Sequence, residues 1–291
     1  MSENMADPQA GRARILVGVD GSKDGLRAVG YAMHEALAKE ADLWVVTVVD
    51  YAAPIGGLWE LVSSQEMLNS LGESAIAQAL AFLGDEGFPA GRVTSEVRLG
   101  PPGETLAELS GSAELLVVGR RAVGGLERLF VGSTSVWVAV HAKCPVIVIS
   151  AASTPQVTGG LGVVAVGINT WPVHSSALEW GFTEAKLRGA RLRVVHVVPE
   201  TLGIEGQAFV ESANAGLEHQ LEGVRSEHPG VQVDVDVQLG DPVAALVATS
   251  AAVDLLIIGT HHERAMLGGP TRGVIAHAHC PVGLIRSHEP A

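Results

Sequence analysis

The chain is short of charge, of aromatic rings and above all of basic residues. Of its 291 residues 18% are charged and 4% aromatic, and 19 Lys and Arg face 32 Asp and Glu, for a formal net charge of −13. Such a balance offers no basic field able to neutralise many phosphates, so no nucleic acid partner is expected, and any bound anion needs a local site. Cysteine is nearly absent too. Cys144 and Cys280 sit in the matching contexts HAKCPV and HAHCPV, which marks repeated positions rather than a disulfide framework, and both read as small buried hydrophobes. No uninterrupted apolar run approaches the roughly 18 residues that a membrane helix needs. The first residues, MSENMADPQAGRAR, have no apolar signal-peptide core, so the expected location is the cytoplasm, without membrane contact. The sequence also has no GxxxxGK[ST] loop, no GxGxxG after its first strand, no HExxH and no GxSxG. These absences remove P-loop, dinucleotide-binding, simple metalloprotease and α/β-hydrolase readings.

What is present is apolar, glycine-rich and duplicated. Hydrophobic residues make up 47% of the chain and glycine contributes 35 positions, a globular composition of about two domains' length. Val-Gly-Val-Asp at 17–20 recurs as Val-Gly-Ile-Asn at 166–169, and Thr-Val-Val at 47–49 as His-Val-Val at 196–198. Further on, Leu99-Gly100 matches Leu239-Gly240, LLVVG at 115–119 matches LLIIG at 255–259, and Cys144-Pro145-Val146 matches Cys280-Pro281-Val282. The offset falls from 149 to 140 to 136 along the chain, so the second copy is the shorter. Between the copies, SAASTPQVTGG has linker composition. Domains are expected at 10–150 and 160–287.

Within the first copy Ile15–Val19, Leu43–Val49, Leu115–Val118 and Val146–Ile149 are continuous Val- and Ile-rich runs, the pattern of parallel strands covered on both faces. Ser22 is placed to cap a helix with Leu26, Val29, Met33 and Leu37 on its apolar side, and a longer helix from Gln65 to Leu83 carries Leu68, Leu71, Ala75, Ile76, Ala79 and Leu83. A third runs from about Glu104 to Leu109. This alternation predicts an α/β fold of two tandem doubly wound parallel sheets. Residues 231–239 alternate strictly, which predicts an edge strand. The continuously apolar Val146–Ile149 closes its copy at an edge that invites pairing, so the two copies are expected to join there.

Gly119 ends the fourth strand, and after Arg120, Arg121 and Ala122 the chain reaches Gly132-Ser133-Thr134 at the start of a helix. Free N–H groups and hydroxyls there suit an anion such as phosphate, and the same residues suit an ordinary serine cap. Asp20 at the end of the first strand shares a crevice with Gly119 if the two strands are neighbours, and open α/β sheets bind ligands in such crevices. Arg120 and Arg121 read equally as anion partners or as a solvated loop. His261, His262, His277 and His279 lack the spacing of a metal site, and none is expected. Trp44, Trp59, Trp137, Trp171 and Trp180 have no basic interleaving and read as packing residues.

Strand-terminal Asp20, the run from Gly119 to Ser133 and the Cys-Pro-Val strand together resemble the universal stress protein family, over both copies. The resemblance implies five-stranded parallel sheets of order 3-2-1-4-5, as in adenine nucleotide alpha hydrolase-like domains, an ATP site between strands 1 and 4, with or without Mg2+, and dimerisation through the last strand. In tandem members that dimer lies within one chain. It further implies Asp20 and Val48 near adenosine, Val118 and Gly119 near ribose and phosphates, and Gly132, Ser133 and Thr134 on the phosphates, with Arg120 and Ala122 in the same loop. Ala122 replaces the family's second glycine. If that position needs positive φ, alanine costs roughly 1–2 kcal/mol, about tenfold in affinity. The second copy departs further, with Asn169 for the aspartate, His262 at the second glycine, a loop four residues shorter and Pro270 where an N–H is needed. The expectation is an ATP-binding regulator of the stress response with little or no catalysis, its site in the first copy and degenerate in the second. The alternative is an interaction module with both sites degenerate. A homodimer of the whole chain stays open.

Overall fold

A computed structural model describes residues 12–50, 65–120, 132–149, 153, 160–168, 176–200, 206–260 and 267–286. The first half contributes β1 (Arg14–Val19), α1 (Lys23–Ala38), β2 (Asp42–Val49), α2 (Gln65–Asp85), β3 (Val93–Leu99), α3 (Pro102–Leu109), β4 (Leu115–Gly119), α4 (Ser133–His141) and β5 (Val146–Ile149). The second repeats the order as β6 (Val163–Ile168), α5 (Ser176–Arg188), β7 (Arg191–Val198), α6 (Gly206–Glu227), β8 (Val233–Leu239), α7 (Pro242–Ser250), β9 (Leu255–Thr260), α8 (Gly269–His277) and β10 (Val282–Arg286). Local chemistry explains the boundaries. Gly21 takes φ +75 to turn the chain out of β1, and Ser22 then caps α1 by accepting from Gly25 N at 3.0 Å. Gly100 and Gly240, equivalent in the two halves, both have positive φ, and each N–H donates to the last carbonyl of its neighbouring strand, at Val49 and Val198.

The strands form one ten-stranded sheet of order β3-β2-β1-β4-β5-β10-β9-β6-β7-β8. Each half thus has the expected 3-2-1-4-5 order, and β8, the alternating strand, lies at an edge. Among the described residues the strands within a half pair in parallel, and the halves meet where β5 and β10 run antiparallel. Ile147 pairs with Gly283, its own repeat equivalent, so a pseudo-twofold axis passes through that pair. Successive strand residues feed two layers. Ile15, Val17 and Ile147 join α1, α2, α5 and α6 on one face, while Leu16, Leu116 and Val148 join α3, α4, α7 and α8 on the other.

Beside the axis, α1 meets α5 through a crossed set of charges. Arg188 donates to Tyr31 Oη at 2.9 Å, to Glu184 Oε2 at 2.9 Å and to Glu35, while Lys39 donates to Glu184 Oε1 at 2.8 Å and lies 3.5 Å from Glu35 Oε2. Glu35 and Glu184 are 0% exposed and the Arg188 side chain 4%. The residues are repeat equivalents: Glu35 with Glu184, Lys39 with Arg188, Tyr31 with Trp180. Each cation also lies over the other half's aromatic ring, Lys39 at 5.7 Å from Trp180 and Arg188 at 5.8 Å from Tyr31. Burial raises the Glu35 carboxyl above its usual range, with Glu184 adding to the effect and Arg188 and Lys39 opposing it.

Several side chains fall elsewhere than periodicity predicts. Leu37 in α1 is 47% exposed, because the buried face of α1 takes in Ala28, Ala32, Glu35 and Ala36 to meet both sheet and α5; Leu71 in α2 is 49% exposed, while Ala75, Ile76, Ala79 and Leu83 of the same helix are buried. Cys280 is buried but Cys144 only half-buried; burial pushes both thiols up to about 12. Trp137 is largely exposed, stacked on His141 at 4.2 Å, while Trp44 is buried; Trp59 and Trp171 lie outside the described residues. Removing one member of a buried charge set strands the rest, at a cost of about 3–5 kcal/mol. Arg188→Met leaves two buried carboxylates against Lys39 alone and is expected to lower the urea midpoint by a corresponding amount. An unchanged midpoint contradicts the assignment of this cluster to the junction.

Candidate functional site

The chain order reverses between β1 and β4: from β1 it winds outward through β2 and β3, then crosses to β4 on β1's other side. The carboxyl ends of β1 and β4 lie side by side at this reversal, the place where such sheets take ligands. Gly18 pairs with Val118 at this end. Asp20, the first residue past β1, is exposed and accepts from Ser22 N at 3.0 Å, which holds its carboxylate at the start of α1. Val48, near the end of β2, is half-buried and Val118 fully buried.

Gly119 is a glycine for a reason visible in its surroundings. A Cβ there would lie 2.6 Å from Asp24 C, 2.7 Å from Asp24 O and 2.8 Å from Gly25 N, so β4 ends pressed on the first turn of α1. Its carbonyl accepts from Ser135 Oγ at 3.2 Å, which draws the start of α4 to the end of β4. Gly132 takes extended backbone as the residue before α4, and no side-chain cap bond is made to that turn. Ser133 and Thr134 are the first two residues of the helix, Ser133 exposed and Thr134 half-buried. The backbone N–H groups of such a turn have no intrahelical acceptor, and the positive end of the helix dipole lies there. Asp20 follows β1, Val118 and Gly119 end its neighbour β4, Ser135 ties the start of α4 to Gly119, and Val48 lies on β2, the strand on the other side of β1.

Arg120 is held differently from the expectation. Its side chain is 4% exposed and its guanidinium donates to the carbonyls of Ile275, at 3.3 Å, and Ala276 in the last turn of α8. Burial lowers its pKa, with Asp24 opposing the shift. The cation read as an anion partner therefore serves the junction between halves. Its contacts lie 155 and 156 positions along the chain, beyond the reach of any local pattern. Ala122 and Arg121 lie outside the described residues.

The second half's equivalent crevice is built otherwise. Its last helix starts after Gly268, again with no side-chain cap bond, but Pro270 occupies the second helical position and brings no N–H. His196 stands where the first half has Thr47, its Nδ1 3.1 Å from the Ile168 carbonyl. Asn169, His261 and His262 lie outside the described residues. No group of three or more potential metal-ligating side chains occurs among the described residues, and no helix among them is long and apolar enough to cross a membrane.

A model of the universal stress protein family matches the chain at residues 11–150 and again at 163–286. A universal stress protein of Mycobacterium tuberculosis is 31% identical over 290 residues, covering 94% of this chain and 96% of its own. A universal stress protein from Archaeoglobus fulgidus, solved by crystallography, shares the fold across 94% of this chain and 98% of its own, with a TM-score of 0.71 at 18% identity. A shorter one, solved in complex with cAMP, covers 47% of this chain at 26% identity with a TM-score of 0.35. The two matches to one family model, together with a relative similar along nearly its whole length, establish that the chain belongs to the universal stress protein family, as a tandem member with two such domains in one polypeptide.

Proposed function

We propose that the first half binds ATP or a related adenine nucleotide in the crevice between β1 and β4, and that the chain acts in the cytoplasm as a nucleotide-responsive regulator of the stress response. The observation that carries this reading is the bond from Ser135 Oγ to the Gly119 carbonyl, which ties the N-terminus of α4 to the end of β4 beside β1. Backbone N–H groups from Gly132 to Thr134 hold phosphate oxygens, with the hydroxyls of Ser133 and Thr134 as further donors. Asp20 accepts from the sugar or base, Val48 supplies apolar surface beside it, and Val118 lies near the ribose and phosphates. Gly119 lets the loop leave β4 against α1. Mg2+, where present, neutralises phosphate charge. No residue is assigned a catalytic role. In the second half Pro270 removes a donor from the corresponding turn, so one nucleotide per chain is the expected content.

A second reading, an interaction module that binds no nucleotide, is favoured by Ala122 at the family's glycine position. The test is to load the purified chain with ATP, desalt, denature it and count the released nucleotides by mass spectrometry. About one adenine nucleotide per chain supports the first reading; two overturn the account of the second half; none favours the module. Ala122→Gly is expected to tighten ATP binding about tenfold; unchanged or weaker binding contradicts the need for positive φ at this position. Gly119→Ala is a poor probe of the ligand, since its methyl group meets α1 backbone, and is expected to lower stability by about 1–3 kcal/mol even without nucleotide. Asp20→Ala, by contrast, is expected to weaken binding with little change in melting temperature.

A further inference from the structure

Two further arginines at the junction, Arg120 and Arg286, form a reciprocal clasp. Arg120, which directly follows Gly119, reaches across to the Ile275 and Ala276 carbonyls at the end of α8. Arg286, which ends β10 in the second half, donates to the Ala142 carbonyl at 3.3 Å, and Ala142 is the C-cap of α4. Each half's last helix thus starts in that half's own crevice and has its carbonyl end engaged by an arginine of the other half. The last turn of a helix leaves carbonyls without intrahelical donors and favours a cation. The Arg120 peptide is held as well: its N–H donates to the Ile149 carbonyl of β5, the strand that pairs with β10. Gly119 and Arg120 are therefore fixed by α1 below, by β5 beside them and by α8 of the other half.

We propose that Arg120 is a positioning residue that couples the first half's nucleotide crevice to α8, so that the second half acts as a built-in regulatory subunit for a site it does not itself form. The inference rests on the nucleotide reading above. A phosphate drawn to the turn at Gly132 is sensitive to where the loop leaves Gly119. That exit is set by the bonds of Arg120 to α8, so a bound nucleotide and a well-ordered α8 terminus favour one another. Linkage makes the effect reciprocal: loosening α8 weakens nucleotide binding, and nucleotide binding steadies α8. A shortened phosphate loop in the second half costs this role nothing, because the role uses the other end of the helix.

The test uses the full-length chain and two measurements. Amide hydrogen exchange at residues 274–278 is followed with and without saturating ATP, and ATP affinity is measured by calorimetry for the wild type, Arg120→Met, Arg120→Lys and Arg286→Met. The expected result is that ATP slows exchange at the end of α8 about fivefold or more in the wild type. Arg120→Met is expected to abolish that response and to weaken ATP binding about fivefold or more, with Arg120→Lys restoring part of both. Arg286→Met is expected to weaken ATP binding through α4. Wild-type exchange at 274–278 that is indifferent to bound ATP overturns the coupling whether or not the variants fold, as does an Arg120→Met protein with wild-type affinity and response. Failure of the wild type to bind ATP or ADP overturns the nucleotide reading, and the coupling falls with it.

Discussion

Two carboxylates without solvent access, Glu35 and Glu184, lie where the halves meet, and much else in the molecule depends on their being matched. A buried carboxylate is tolerated only with a cation at hydrogen-bonding distance. Here each helix brings one cation and one acid, and the pairs cross: Lys39 of α1 bonds to Glu184 of α5, and Arg188 of α5 bonds to Glu35 of α1. Neither half alone covers its own acid completely. A slip of α1 against α5 by one turn would part both crossed pairs, so the charges specify register, while the apolar layers on either face of the sheet supply most of the driving force. With that register set, β5 meets β10 through equivalent residues, and two sheets that would otherwise each end in an exposed apolar strand become one.

Strands β1, β2, β4 and β5 were legible because buried parallel strands are written as continuous apolar runs; β3, VTSEVRL, is no such run and was not read from the residues. The joining of β5 to β10 followed from the same property, an apolar edge that needs a partner, and the edge position of β8 from its strict alternation. The helices were less legible at the side-chain level. Leu37 satisfies helical spacing yet faces outward, since α1 has two neighbours, sheet and α5, and its buried face is set by both; Leu71 of α2 is exposed as well. The charge cluster carried a signal that periodicity does not register. Tyr31, Glu35 and Lys39 recur as Trp180, Glu184 and Arg188 at the same 149-residue offset as the first strand. An acid and a cation kept four apart in both copies, at equivalent points of one helix, mark a contact across the symmetry axis. The offset that revealed the repeat would have found it.

The candidate site was legible in outline for a different reason. Its position follows from topology, since the crevice must lie at the carboxyl ends of β1 and β4 once the strand order reverses there. What each residue does within it was less accessible. Gly119 reads, through the family resemblance, as a residue near ribose and phosphates, and the structure adds an independent demand, because the backbone of Asp24 and Gly25 already occupies the space of its missing methyl group. Arg120 reads as a phosphate partner from sequence proximity and is instead bound to carbonyls of the other half. In both cases the decisive neighbour is remote in sequence.

Duplication also explains how the two halves have diverged unequally. In a symmetric pair of identical subunits, any change in the phosphate loop appears in both sites at once. Fusion into one chain removes that restriction, and each copy then keeps only what its partner requires of it. The second copy keeps the strand that completes the sheet, the acid and cation that cross the axis, and the helix whose carbonyl end receives Arg120. All three are junction features. What differs in it is the helix start, with Pro270 at the second position of α8, and a stretch four residues shorter before it in the sequence. The crossed acid and cation, Glu35 with Lys39 and Glu184 with Arg188, recur in both copies, whereas Arg120 has Thr260 at its equivalent position, so its contact across the pseudo-twofold axis is made from one copy alone.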